Sequence, residues 1–97
     1  MKISTEHYEF IKNKIKENYN GAQLELNRRH LARSMGLSWE SFVWDILCTS
    51  IDLVYFVLGN LYNYLNATEV QIAVGKVISD IIDESEVNKA ITKESKK

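Results

Sequence analysis

Apolar positions recur along this chain at helical spacing, and the breaks between them are polar. Tyr8, Ile11, Ile15 and Tyr19 follow one another at three, four and four residues, which is one stripe of a helix. Ser4 or Thr5 caps its start, and Glu6 and Glu9 lie in the opening turns, where the helix dipole favours anions. Asn18, Tyr19, Asn20 and Gly21 end it, since Asn and Gly accept the left-handed backbone common at helix C-termini. A second helix is predicted over 22–35. Leu24, Leu31 and Met35 share one face, Leu26 and Ala32 flank it, and Arg28, Arg29 and Arg33 lie on the other side. Gly36 is the expected stop, and Ser38 caps a third helix carrying Trp39, Phe42, Val43, Ile46 and Leu47.

Residues 51–65 carry two signals. Ile51, Val54, Leu58, Leu61 and Leu65 alternate by three and four and predict a helix buried on that stripe. Gly59-Asn60 between strand-forming residues is the signal of a hairpin. Five helical matches outweigh one turn, so helix is expected. Asn66 with Glu69 three residues on starts a last helix, whose stripe is Val70, Ala73, Val74, Val77, Ile78 and Ile81. Gly75 inside it suits close packing. From Asp83 the chain turns polar. The expectation is one all-α domain over 1–87, a compact bundle of four to five helices, with 88–97 as a mobile polar tail.

Composition narrows the functions. The 97 residues include one cysteine, Cys48, so neither an internal disulfide nor a multi-cysteine zinc site fits. Cys48 at an apolar helix end reads as a buried, inert thiol. With no apolar run behind Lys2, the start does not resemble a secretory signal, and a cytoplasmic setting is expected. Residues 46–65 hold one charge, Asp52, but Asp52, Asn60 and Asn63 are costly in lipid, so this is read as a core element and no membrane role is expected.

The net charge of −1 conceals an order. Residues 1–33 sum to +3, 34–88 to −7 and 89–97 to +3. An acidic middle favours a basic protein partner over nucleic acid. His7 and His30 form no metal pair, and no phosphate loop, paired-carboxylate motif or nucleophile elbow occurs. No catalytic residue, metal or cofactor is therefore expected.

Residues 31–42, with Ala32, Gly36 and Ser38, resemble a helix-turn-helix signature: a small residue where helices cross, a glycine in the turn, and a cap. As a DNA-binding regulator the chain would use Arg28, Arg29, Arg33 and Trp39. The following helix offers Trp39, Glu40, Ser41, Val43 and Trp44 where base-reading helices carry Arg, Lys, Asn or Gln, Asp45 stands where the pattern wants an apolar anchor, and no cation falls between Arg33 and Lys76. A structural helix-turn-helix-like corner is the preferred reading. Trp39, Trp44, Tyr55, Tyr62 and Tyr64 are more aromatics than a small core hides. They suit either a protein-binding patch or a homo-oligomer seam at 51–65.

Three blocks resemble a family of small phage and prophage proteins: 1–8; Gly36-Leu37-Ser38 with Phe42 and 44–47; and 61–66 leading to Val70 and Ala73. Where that family has a Gly-rich polar segment, this chain has the apolar 51–58. The resemblance implies a non-enzymatic accessory protein that binds and inhibits a host protein in the host cytoplasm, such as a defence component. Trp39, Glu40, Trp44, Asp45 and Tyr62 are the expected protein-binding residues. DNA regulation and a structural homo-oligomer, including a homodimer, stand as alternatives.

Overall fold

The computed structural model describes residues 3–33 and 38–95, with side chains over 3–29 and 38–85. Five α-helices follow in order: α1 Thr5–Asn18, α2 Gly21–Arg33, α3 Trp39–Leu47, α4 Ile51–Phe56 and α5 Ala67–Ser95. α4 runs directly into a π turn, Val57–Leu61. No strand occurs among the described residues. The fold is all-α, as the periodicity predicts.

α5 is the element the others pack on. Val70, Ala73, Val74, Val77, Ile78, Ile81 and Ile82 are all buried. At 3.6 residues per turn those positions cover about half the helix circumference, enough to take α1, α2 and α3 side by side. Many of these residues are β-branched and poor helix formers, so packing rather than propensity stabilises α5. Asn66 starts it as expected: its Oδ1 accepts the Glu69 N–H at 2.9 Å. The helix does not end near residue 87 but continues to Ser95.

In α1, Ser4 Oγ accepts the His7 N–H, and Ile11 and Ile15 are fully buried, with Tyr8 and Tyr19 packed beside them. It ends at Asn18, within the expected 18–21 stop, but not by the expected left-handed cap. No described residue has a positive φ, so no left-handed cap closes α1. Tyr19 becomes extended instead, with φ −137°. Asn20 then opens α2 through a reciprocal pair, Gln23 N–H to Asn20 Oδ1 and Asn20 N–H to Gln23 Oε1, both 2.9 Å.

Gly21 is required for contact rather than conformation. A Cβ there would overlap Ser85 Cβ and lie 2.6 Å from Ser85 Oγ. Leu24 buries one face of α2, while Leu26 is exposed. The expected end of this helix at 35, its Gly36 stop and the helix-turn-helix-like corner lie outside the described residues.

α3 begins at Ser38, whose Oγ accepts the Ser41 N–H at 3.2 Å. Phe42, Val43, Ile46 and Leu47 are buried. Cys48 is exposed, not buried. It is the C-cap of α3, one residue past Leu47, so it leaves the buried face as the helix ends.

Candidate functional site

α4 and the π turn form one continuous helical segment over 51–61, together named α4 from here on, that is apolar on two faces, with Tyr62 and Leu65 just beyond it. The inner face is Leu53, Val57, Leu61 and Leu65, all buried. The outer face is Ile51, Tyr55, Leu58 and Tyr62, which are 67%, 66%, 58% and 39% exposed. The stripe expected to be buried, Ile51-Val54-Leu58-Leu61-Leu65, is thus corrected. Ile51 and Leu58 face solvent and Leu53 and Val57 take the core positions.

The π turn explains which register wins. A buried residue at every fourth position overshoots an α-helical turn by about 40° per step. The wider π turn absorbs that drift, with the Tyr62 N–H reaching Val57 O at 3.0 Å. It keeps Leu53, Val57 and Leu61 on the buried side, and Leu65 beyond the turn is buried too. Gly59 and Asn60 lie within this turn, and no hairpin forms.

The outer face is almost uncharged. Asp52 is its one neighbouring charge and is paired to Lys14 of α1 at 3.0 Å. A Cβ at Gly59 would meet nothing within 4 Å, so the face is open at its middle.

Beside the stripe, α4 is docked on α1 through aromatics. Phe10 stacks on Phe56 at 4.5 Å, and His7 meets Phe56 edge-on at 5.2 Å. His7 Nδ1 and the Tyr64 hydroxyl are 2.8 Å apart, one donating according to the imidazole tautomer. An open cleft of about 460 Å³ runs along this seam, lined by Phe10, Lys14, Asp52, Tyr55, Phe56 and Asn60.

Of the five residues expected to bind protein, four lie on α3 and Tyr62 follows the α4 segment. Tyr62 belongs to the outer face of α4. Trp39 packs over Gly75 and tilts on Phe42 at 5.2 Å, leaving about a third of its surface exposed. Trp44 is half-buried against the core, while Glu40 and Asp45 are exposed on α3. α3 packs on α5, and its axis diverges from that of the α4 segment by 101°. Sequence reasoning places Ile51 and Leu58 in the core, whereas Tyr55 is among the aromatics it offers for a binding patch. Their four-three spacing was present but reads equally well as core.

Among the residues named for DNA binding, Arg28 and Arg29 both reach Glu25, at 2.6 and 3.0 Å. Trp39 is the residue over Gly75, and the Arg33 side chain lies outside the described residues.

Several charges pair inside the fold. Lys12 and Lys16 of α1 pair with Glu84 of α5, and Lys76 holds Asp80 at 2.8 Å. The Tyr8 hydroxyl donates to Asp80 at 2.6 Å. Burial pushes the Asp80 carboxyl up, but hydrogen bonds from Lys76 and Tyr8 and the nearby lysine charges bring it below its usual range. The Lys12 hydrogen bond likewise lowers Glu84. Burial and then Asp80 push the Tyr8 phenol up. Two lysines of the charge-balanced α1 therefore meet one carboxylate of the acidic α5.

Among the described residues no three His, Cys, Asp or Glu side chains gather as a metal site. No single helix there is long and apolar enough to cross a membrane. Compared with known proteins, the chain matches no family model, no curated protein and no solved structure.

Proposed function

We propose that this protein is a non-enzymatic interaction protein that acts by occluding a partner protein, with the outer face of α4 as its docking surface. One observation carries the reading: Ile51, Tyr55, Leu58 and Tyr62 form an uncharged, solvent-facing stripe on a segment whose opposite side is anchored in the core. Large apolar side chains held in water on a rigid element are the usual mark of an interface. Tyrosine is among the residues that dominate binding energy there. Asn60 and Asn63 supply a polar rim. The resemblance to small phage proteins supports a host protein in the cytoplasm as the target, including a component of host defence.

The test compares capture by the tagged full chain with capture by Tyr55→Glu/Leu58→Glu, after circular dichroism confirms that both are folded. A specific protein retained by the wild type and lost from the variant is expected. Recovery of duplex DNA with no protein, or capture of the same protein by both chains, overturns the reading.

A further inference from the structure

We infer that the cleft between α1 and α4 seats an arginine side chain of the partner protein, its guanidinium held by the Tyr55 ring and the Asp52 carboxylate. This rests on the reading of the α4 face as a docking surface and names the chemistry of what docks there.

Two helix stripes build the cleft. Phe10 and Lys14 lie one turn apart on α1, Asp52, Tyr55 and Phe56 lie within one turn on α4, and Asn60 follows in the π turn. Tyr55 belongs both to this lining and to the exposed outer face, so the cleft opens at the edge of the docking stripe. Its volume of about 460 Å³ is that of a pocket for one long side chain. Sites that enclose a small ligand begin at roughly 300 Å³.

Charge selects a cation. The Lys14 ammonium lies 3.0 Å from Asp52 and 3.6 Å from Glu17, so one cation is shared by two carboxylates. The other lysines of α1, Lys12 and Lys16, pair with Glu84 of α5 and do not offset this corner. One negative charge is therefore left over beside the cleft. Lys14 donates to Asp52 through Oδ2. A carboxylate has about four acceptor sites on its two oxygens, so Asp52 can take a second donor without releasing Lys14.

The aromatic lining selects a guanidinium among cations. Phe10 and Phe56 stack on each other, whereas the mostly exposed Tyr55 ring meets no other ring among the described residues. Lys14 Nζ already lies 5.7 Å from the Phe10 centroid, a cation at the edge of this aromatic lining. A planar guanidinium stacks on a ring and still donates in its own plane, which a compact ammonium cannot do. Asp52 accepts there, and so does the Asn60 amide oxygen, which holds no hydrogen bond among the described residues.

The test is a titration of the isotope-labelled full chain with Nα-acetyl-arginine methylamide, followed through amide chemical shifts. Saturable shifts confined to residues around Phe10–Lys14 and Asp52–Asn60 are expected, with a dissociation constant on the order of 1 mM for this single residue. The citrulline counterpart has the same shape without the charge and is expected to bind about tenfold more weakly. Asp52→Asn is expected to weaken arginine binding about tenfold, and Lys14→Met, which removes the competing cation, to tighten it about threefold. Both variants keep wild-type circular dichroism. Opposite effects from the two ends of one ion pair cannot arise from loss of fold.

No saturable shift up to ~100 mM probe overturns the inference, as does citrulline that binds as well as arginine, or tighter binding by Asp52→Asn. Leu58→Glu, on the outer face and outside the cleft, separates this site from the docking reading. Protein capture lost in Leu58→Glu from a chain that binds no arginine probe sinks the cleft and leaves the docking face standing. Arginine binding in a chain whose capture is unchanged by Leu58→Glu does the reverse.

Discussion

Gly75 lies under the indole of Trp39: a Cβ on Gly75 would sit 3.1 Å from Trp39 Nε1 and 3.6 Å from Val43 Cγ2. The glycine lets α3 settle onto α5, and it seats a tryptophan on the helix surface rather than in the core. Trp39 thereby gains a packing role that competes with the binding role its sequence position suggests.

The described glycines divide by what surrounds them. Gly59→Ala, with open space around the added methyl, is expected to stabilise the protein by about 0.5–1 kcal/mol, because the unfolded chain loses freedom. Gly21→Ala drives a methyl into Ser85 and is expected to cost about 1–3 kcal/mol, partly recovered by adding Ser85→Gly. At Gly75 the indole yields by a few tenths of an ångström, so alanine is close to neutral and valine costs about 1–3 kcal/mol. Urea denaturation of dilute protein measures all of these.

The register of α4 is tested by two leucines five residues apart. Leu53→Ala empties a fully buried site and is expected to cost about 2–5 kcal/mol. Leu58→Ala removes an exposed side chain and is expected to stay within about 0.5 kcal/mol of wild type. Equal losses at both positions would refute the burial assigned to this segment.

Stability is expected to fall at both ends of the pH scale. Asp80 and Glu84 are held below their ordinary carboxyl range in the folded protein. Their contribution is therefore present above about pH 4, the unfolded carboxyl range, and is lost as pH falls through the lower folded values. Tyr8 is pushed the other way. Its contribution is present below about pH 10 and is lost as pH rises beyond that. Asp80→Asn with Glu84→Gln should flatten the acid limb of urea midpoint against pH, and Tyr8→Phe the alkaline limb. Unchanged limbs would remove these groups as the cause.

The start of α2 depends on Asn20. Asn20→Ala removes the acceptor for the Gln23 N–H and is expected to cost about 1 kcal/mol, while Asn20→Ser restores most of it. A lower thermal midpoint for alanine and not for serine is the readout.

Local rules carried most of the architecture. The cap at Ser38, the Asn66–Glu69 start and the α5 stripe were legible because each depends on residues within a few positions of one another. So was the all-α class, since helical periodicity dominates the chain. The place where α1 ends was legible but the way it closes was not, because Asn20 and Gly21 suit a left-handed stop as well as the start of the next helix. The reciprocal Asn20–Gln23 bonds decide for the latter.

The sequence by itself determined that this chain is helical, where most of its helices begin, and that one stripe on α5 must be buried. Tertiary structure decided the rest. It chose which of two apolar faces of α4 meets the core, a choice periodicity cannot make when both faces qualify. That choice turned Ile51 and Leu58 from expected core into surface. It also set Lys12 and Lys16 of α1 against Glu84 of α5, so that charges separated by about seventy residues pair with each other. Both outcomes have one physical reason: burial and ion pairing depend on what packs opposite a residue, and spacing along the chain carries no record of that.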